Sequence, residues 1–338
     1  MSEPQNIASK AIIGTRLPAV DAMRGIVMVL MALDHASHAF NAGRYAGDSF
    51  LWYRAGSAIP EFQFLVRWVT HLCAPTFLFL AGFALALSVA RRQARGVPER
   101  SIDADIIKRG IFILMLEPLW MSFGFGEGII LQVLYGIGAS LCIMVLLRRV
   151  GIRILLALCL GVFVFSEGLV WLAILAGGGH KSGLIGTLLF TGGSIKGRVF
   201  VLYPLVPWLA YMLLGWVCGQ YMLGKETIRP IRFFLISGAI SLSVFLVVRG
   251  INQYGNMLLY RYDNSILQWL HVSKYPPSLT FSALELGLMF LILAALFSWY
   301  RKRKAEPRNP LHVFGRTPLI FYILHVHILS ASAWLLKM

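Results

Sequence analysis

Charge is scarce in this sequence. Asp, Glu, Lys and Arg make up only 14% of it, against about 25% in soluble domains. With 58% hydrophobic residues and a mean hydropathy of +0.71, this excludes the two soluble domains that 338 residues would otherwise suggest. Acidic residues are scarcer still: 15 Asp and Glu stand against 31 Lys and Arg, a net charge of +16. The four cysteines, Cys73, Cys142, Cys159 and Cys218, fall in four different apolar stretches without metal-ligand spacing. They read as small apolar filler, and no metal is expected. Internal repeats and low-complexity tracts are missing. The N-terminus has no short apolar region followed by a small-residue cleavage site, so the first apolar stretch is expected to stay as an anchor.

What the sequence does have is long apolar blocks. A helix needs about 20 apolar residues to cross the hydrocarbon core. Such stretches lie at 17–39, 65–90, 107–125, 129–147, 152–176, 202–222, 232–248, 278–299 and 312–335. Barrel strands would give shorter, alternating segments, and every backbone group in lipid needs an internal partner. The expected fold is therefore all-α: a polytopic membrane helical bundle of about nine transmembrane helices. Residues 1–16 form a cytoplasmic tail and 17–338 a single domain. Segment 41–64 is mixed and has room for a short helix at the surface. The Gly-rich stretch AGGGHKSGLIGTLLFTGGSIKGR reads as a mobile loop; a phosphate cradle is a weak alternative, since no strand precedes it.

Basic residues orient the bundle, because cytoplasmic loops carry the Lys and Arg excess. With the N-terminus inside, 20 of the 31 fall on the cytoplasmic side and ten outside, with Arg24 inside the first span. The N-terminus is thus cytoplasmic and the C-terminus extracytoplasmic. Topology and anionic lipid account for the positive charge, and nucleic acid is not an expected partner.

The informative residues are ionisable groups within the spans. Each costs a few kcal/mol at a helix centre on insertion scales, so such groups face the bundle interior and mark function. They are Asp21, Arg24, Asp34, His35, His71, Glu117, Glu167, Glu285, Arg316, His325 and His327. At about 100° per residue, Asp21, Arg24, Met28, Met31, His35 and His38 share one face of the first helix, and Asp34 flanks it. Asp21 and His35 are separated by about 21 Å of helix rise. A ligand along that face would be long, anionic at its inner end and reactive at its outer end, as acyl-CoA is. Plainer roles stand beside this. Asp21 and Arg24 suit a structural ion pair, His38 suits a water contact at the interface, and His71 suits a satisfied polar group beside Pro75.

The segment RLPAVDAMRGIVMVLMALDH resembles the opening of the heparan-α-glucosaminide N-acetyltransferase-like family of bacterial transmembrane acyltransferases. HLCAPTFLFLAGFALALS, YPLVPWLAYMLLGWVCGQ, SKYPPSLTF and FGRTPLIFYILHVHIL resemble later family segments in the same order. The resemblance implies transfer of an acyl group, foremost acetyl, from cytosolic acyl-CoA or acetyl-CoA to a sugar or glycan acceptor on the far side. The setting is the bacterial cytoplasmic (inner) membrane, the bilayer is an obligate partner, and a homo-oligomer is compatible with this reading. The lysosomal members place their key histidine in the first loop, whereas here 41–70 contains none and His35, His38 and His71 bracket it.

Acyl transfer needs a base for the incoming nucleophile and donors for the tetrahedral oxyanion. Histidine suits the first task. His35 is the expected base. Asp34 is adjacent in sequence but about 100° away around the helix, so a carboxylate from another helix is expected to orient His35. His71 and His325 are expected in the same chamber. Arg24, Lys108, Arg109 and Arg316, with Asp21, are expected at the CoA phosphates, although Lys108 and Arg109 also suit simple anchoring to the cytoplasmic face. Direct transfer and an acyl-histidine intermediate are both compatible. A solute transporter and a haem b electron carrier with histidine axial ligands are the rivals. Missing repeats weigh against the first, and a missing redox motif weighs against the second.

Overall fold

The computed structural model describes residues 17–53, 56–125, 128–179, 182–224, 229–303 and 309–336. The expected tail, 1–16, lies outside them. The long helices are α1 (Pro18–Phe40), α2 (Glu61–Val69), α3 (Cys73–Ala94), α4 (Glu99–Leu116), α5 (Val133–Leu147), α6 (Ile152–Ala176), α7 (Leu205–Gly224), α8 (Pro230–Ile251), α9 (Leu279–Lys302), α10 (Pro310–Arg316) and α11 (Pro318–Leu335). Their starts are chemically marked. Proline sits in the first turn of α1, α8, α10 and α11, where its missing N–H costs no hydrogen bond. Ser278 and Asn309 cap α9 and α10, accepting from the Phe281 and Leu311 amides at 3.0 Å each.

Each of the nine apolar stretches holds a helix, with departures that have physical causes. Stretch 65–90 opens in α2, which begins at Glu61; the described residues between α1 and α2 form no helix of their own. A tight turn at Thr70–Leu72 then leads into α3. Stretch 107–125 is broken by a widened turn at Glu117–Met121, where Pro118 has no N–H to give. Stretch 129–147 begins as a strand, which leaves α5 only 15 residues long. Among the described residues five segments are long and apolar enough to cross a membrane: Glu61–Ala94, Ile152–Ala176, Pro230–Ile251, Leu279–Arg301 and Pro318–Leu335. The structure is mostly helical but not purely so. β1 (Ile129–Leu131), β2 (Gly193–Ile195) and β3 (Val199–Val201) form a small sheet in the order β1-β3-β2. β1 runs parallel to β3, and β2 antiparallel to it. The Gly-rich stretch, expected as a loop, thus contains a hairpin. Its turn places Lys196 and Gly197 at positive φ, which Gly197 adopts without strain.

Helices α3 and α7 pack backbone to backbone. A Cβ on Gly82 would overlap the Met212 carbonyl, and one on Gly215 the Phe79 carbonyl. Small residues permit such approach where lipid supplies no hydrophobic drive between helices. Helices α1 and α10 use the same device. Gly25 lies against the Leu311 backbone and Gly315 against the Asp21 backbone. The outer faces of α6 and α8 carry exposed Leu156, Leu160, Phe165, Leu246 and Val247, the apolar surface a bilayer covers. The chain is an integral membrane protein.

Candidate active site

The close fit of α1 to α10 sets the inner half of the site. It brings Asp21 and Arg24 on α1 beside Arg316, which ends α10. Arg91 on α3 and Arg109 on α4 complete a cationic end to a cavity of about 570 Å³. Arg24 bonds Asp21 at 3.4 Å and donates to the Leu80 carbonyl at 3.3 Å. Arg109 and Arg316 are exposed, so the cavity's cations reach its open end. The rest of the wall is mostly apolar, with Met28, Phe83, Ile113 and Leu141. Four of the five residues expected at the donor end therefore converge. Lys108 does not, because it neighbours Arg109 on a helix and points about 100° away; it is exposed and outside the lining. Arg91 was missed, because basic residues just past a span read as topology signals.

The outer half is set where α1 ends. Asp34 accepts from Arg67 at 2.6 Å, from Arg44 at 3.1 Å and from the Thr70 hydroxyl at 3.2 Å. Arg67, 6% exposed, also reaches Asp48 at 2.9 Å, and His71 Nε2 lies 3.0 Å from the same carboxylate. Burial alone would push the Asp48 carboxyl up. Arg67 and the His71 hydrogen bond outweigh it and hold the carboxyl well below the usual carboxylate range. This places Asp34 and His71 in a buried ion network centred on Arg67. Arg67 was legible as an arginine inside an apolar stretch. Asp48, in a loop, gave no signal.

His35 is paired instead with His325 of α11. His35 Nδ1 lies 2.6 Å from His325 Nε2, with the rings stacked 4.9 Å apart. The partner from another helix, expected to be a carboxylate, is thus an imidazole. The tautomers follow from a carbonyl. His325 Nδ1 lies 2.9 Å from the Phe321 carbonyl, which only accepts, so His325 Nδ1 carries a proton. With both rings neutral, His325 Nε2 then accepts from His35 Nδ1–H. The basic lone pair of His35 falls on Nε2. The direct pairing also leaves no gap for a porphyrin between these imidazoles. His38 lies further out and is exposed.

His35 and Asp34 line a small chamber of about 40 Å³ with Tyr203, Lys274, Tyr275 and Tyr322. His71 and His325, both expected there, are outside its lining; His325 meets His35 from behind, through the Nδ1 of His35. The chamber and the inner cavity share three lining residues: Phe77, Val133 and Tyr322. These three side chains form the boundary between the two spaces.

No curated protein matches the chain. A family model described as heparan-alpha-glucosaminide N-acetyltransferase, catalytic, matches residues 16–249. That segment holds Asp21, Arg24, Asp34 and His35 and stops before Lys274, Arg316, Tyr322 and His325. The match covers more than half of the sequence, and with the inner cavity and histidine chamber in place it identifies the chain as a member of the heparan-α-glucosaminide N-acetyltransferase catalytic family, a family of membrane acetyltransferases.

Proposed function

We propose that the protein moves an acetyl group from cytosolic acetyl-CoA to an amine or hydroxyl of a sugar or glycan on the extracytoplasmic side of a bacterial inner membrane. Nine crossings with a cytoplasmic N-terminus put the cationic cavity inside and the His35 chamber toward the outside. The observation that carries this reading is the shared wall of Phe77, Val133 and Tyr322 between the two spaces. Arg24, Arg91, Arg109 and Arg316 suit the phosphates of CoA, and Asp21 holds Arg24 in place. The apolar wall suits the pantetheine arm. The small outer chamber suits acetyl better than a long acyl chain.

In this mechanism His35 Nε2 takes the proton of the acceptor N–H or O–H as the acceptor attacks the thioester carbon. His325 accepts from His35 Nδ1–H throughout and stabilises the imidazolium that forms. The tetrahedral adduct then expels the CoA thiolate, which takes up the proton from His35. An acyl-His35 intermediate is the competing course and predicts ping-pong kinetics.

The test is purified protein with acetyl-CoA and a panel of amino sugars, glycans and hydroxyl acceptors, scored for free CoA thiol. Acceptor-dependent CoA release is expected. Its absence across the panel, with acetyl-CoA bound, would refute the reading.

A further inference from the structure

The base accounts for only half of an acyl transfer, since negative charge must also collect on the thioester oxygen. Two unused donors face the chamber of His35. Lys274 is 3% exposed and lines it. Among the described residues no acceptor takes a hydrogen bond from its ammonium, which lies 5.2 Å from the centre of the Tyr275 ring. Tyr322 is 5% exposed, and its hydroxyl is buried with no hydrogen-bond partner among the described residues. Tyr322 stands where the two spaces meet, and its ring lies 6.3 Å from that of His35 and 5.7 Å from that of His325.

The local charge count points the same way. Asp34 and Asp48 are engaged by Arg44, Arg67 and His71. Lys274 is therefore a third cation beside two carboxylates that already have partners. Glu285 of α9 is its electrostatic neighbour but forms no ion pair with it among the described residues. A buried ammonium lacking acceptors, and a buried hydroxyl lacking one, each cost free energy in the empty protein. Both would be satisfied by a carbonyl oxygen in the chamber, and more strongly once that oxygen carries charge. The segment around Lys274 is held firmly. The Lys274 amide donates to the Asp48 carbonyl at 2.8 Å, the Ser49 hydroxyl bonds the Tyr275 carbonyl, and Arg67 bonds the Tyr275 hydroxyl at 3.3 Å.

We infer that the Lys274 ammonium and the Tyr322 hydroxyl form the oxyanion-stabilising pair for the reacting thioester, a role that rests on the acetyl-transfer reading. The acceptor's lone pair forms the new N–C or O–C bond, its proton passes to His35 Nε2, and the carbonyl π pair moves onto oxygen. Lys274 and Tyr322 donate to that oxygen without giving up their protons. When the pair returns, the C–S bond breaks and the thiolate leaves with the proton held by His35.

Lys274→Met and Tyr322→Phe test this, the second removing a single oxygen. Each is expected to lower kcat by about 10²–10³-fold, the usual loss for one oxyanion donor. The dissociation constant for acetyl-CoA and the KM for the acceptor should change less than about threefold. Lys274→Met should also unfold at or above the wild-type temperature in detergent, since it removes a buried charge without a hydrogen-bonded partner. Wild-type kcat in both variants overturns the pair and leaves the acetyl-transfer reading standing. A raised acceptor KM with unchanged kcat overturns it in favour of an acceptor anchor. A fall in midpoint beyond about 4 °C for Lys274→Met, roughly 3 kcal/mol at this size, overturns it in favour of a structural cation. Wild-type protein inert with every acceptor overturns the acetyl-transfer reading and this inference with it.

Discussion

An imidazole that serves as a base needs its second nitrogen held by a group that fixes the tautomer without taking the reaction's proton. In the proposed mechanism His325 meets that need for His35, because its own Nδ1–H is committed to the Phe321 carbonyl. His35→Ala is expected to lower turnover by about 10²–10⁴-fold while acetyl-CoA binding stays near wild type. His325→Leu should cost less, about 10–100-fold, as orienting partners do. The double variant should be no slower than His35→Ala alone, since the two act as a unit. Additive losses measured by CoA release would separate their roles. Asp48 carries a different consequence. Replacing it with Asn strips a carboxylate from Arg67 and His71, and breaking a buried pair costs about 3–5 kcal/mol. The pH dependence follows from its lowered carboxyl. The unfolded value is about 3.9 and the folded one lies below it. The stabilisation is therefore complete at higher pH and is lost as pH falls below about 4. Thermal midpoints of wild type and Asp48→Asn should differ by the same amount at pH 7 and pH 5 and converge below pH 4. Convergence already between pH 7 and 6 would assign the effect to another group.

Helices position these groups through a few contacts without side chains. Gly315 lies against the Asp21 backbone and Gly25 against that of Leu311, so α10 sits directly on the inner end of α1. Gly315→Ala forces the two helices apart, at an overpacking cost of about 1–3 kcal/mol. It is expected to weaken CoA binding even though the glycine touches no ligand. Gly161→Ala, in α6, is the control for handling: a Cβ there meets nothing, and CoA affinity should not change. Helical spacing makes a second contrast. Arg24→Ala should weaken CoA binding by about 1.5–3 kcal/mol, the range for a charged hydrogen bond. Lys108→Ala, on the outward face of α4, should leave the calorimetric affinity unchanged. A matching loss at Lys108 would move the phosphate end away from this cavity.

At the scale of the molecule, the two-space layout matters only if its ends open to opposite sides of the membrane. The end of α3, the turn after it and the start of α4 carry Arg91, Arg92, Arg95 and Arg100, and the hairpin β2–β3 lies at the other end of α6 and α7. Arg95→Cys is expected to react with an impermeant thiol reagent only after the membrane is opened. Ser194→Cys is expected to react in intact cells, and the reverse pattern would invert the proposed direction of transfer. The native Cys73, Cys159 and Cys218 are buried, which keeps their background low.

The nine apolar stretches were legible as helices from composition, because hydrocarbon leaves a long apolar stretch few other ways to satisfy its backbone. The shared face of Asp21, Arg24 and His35 was legible too, since one helix fixes it by its own period. The break at Pro118 was legible from the proline itself, but the strand β1 and the hairpin in the glycine-rich stretch were not read. They depend on neighbours that pair with them. Partnership across the fold was also beyond the sequence. His325 stands 290 residues from His35, Arg67 is 33 from Asp34, and Lys274 and Tyr322 meet only where their loop and helix converge on one chamber. A helix dictates what lies beside a residue on its own surface. What lies opposite is decided by how the helices pack, and here glycine contacts between α1 and α10 and between α3 and α7 set that packing.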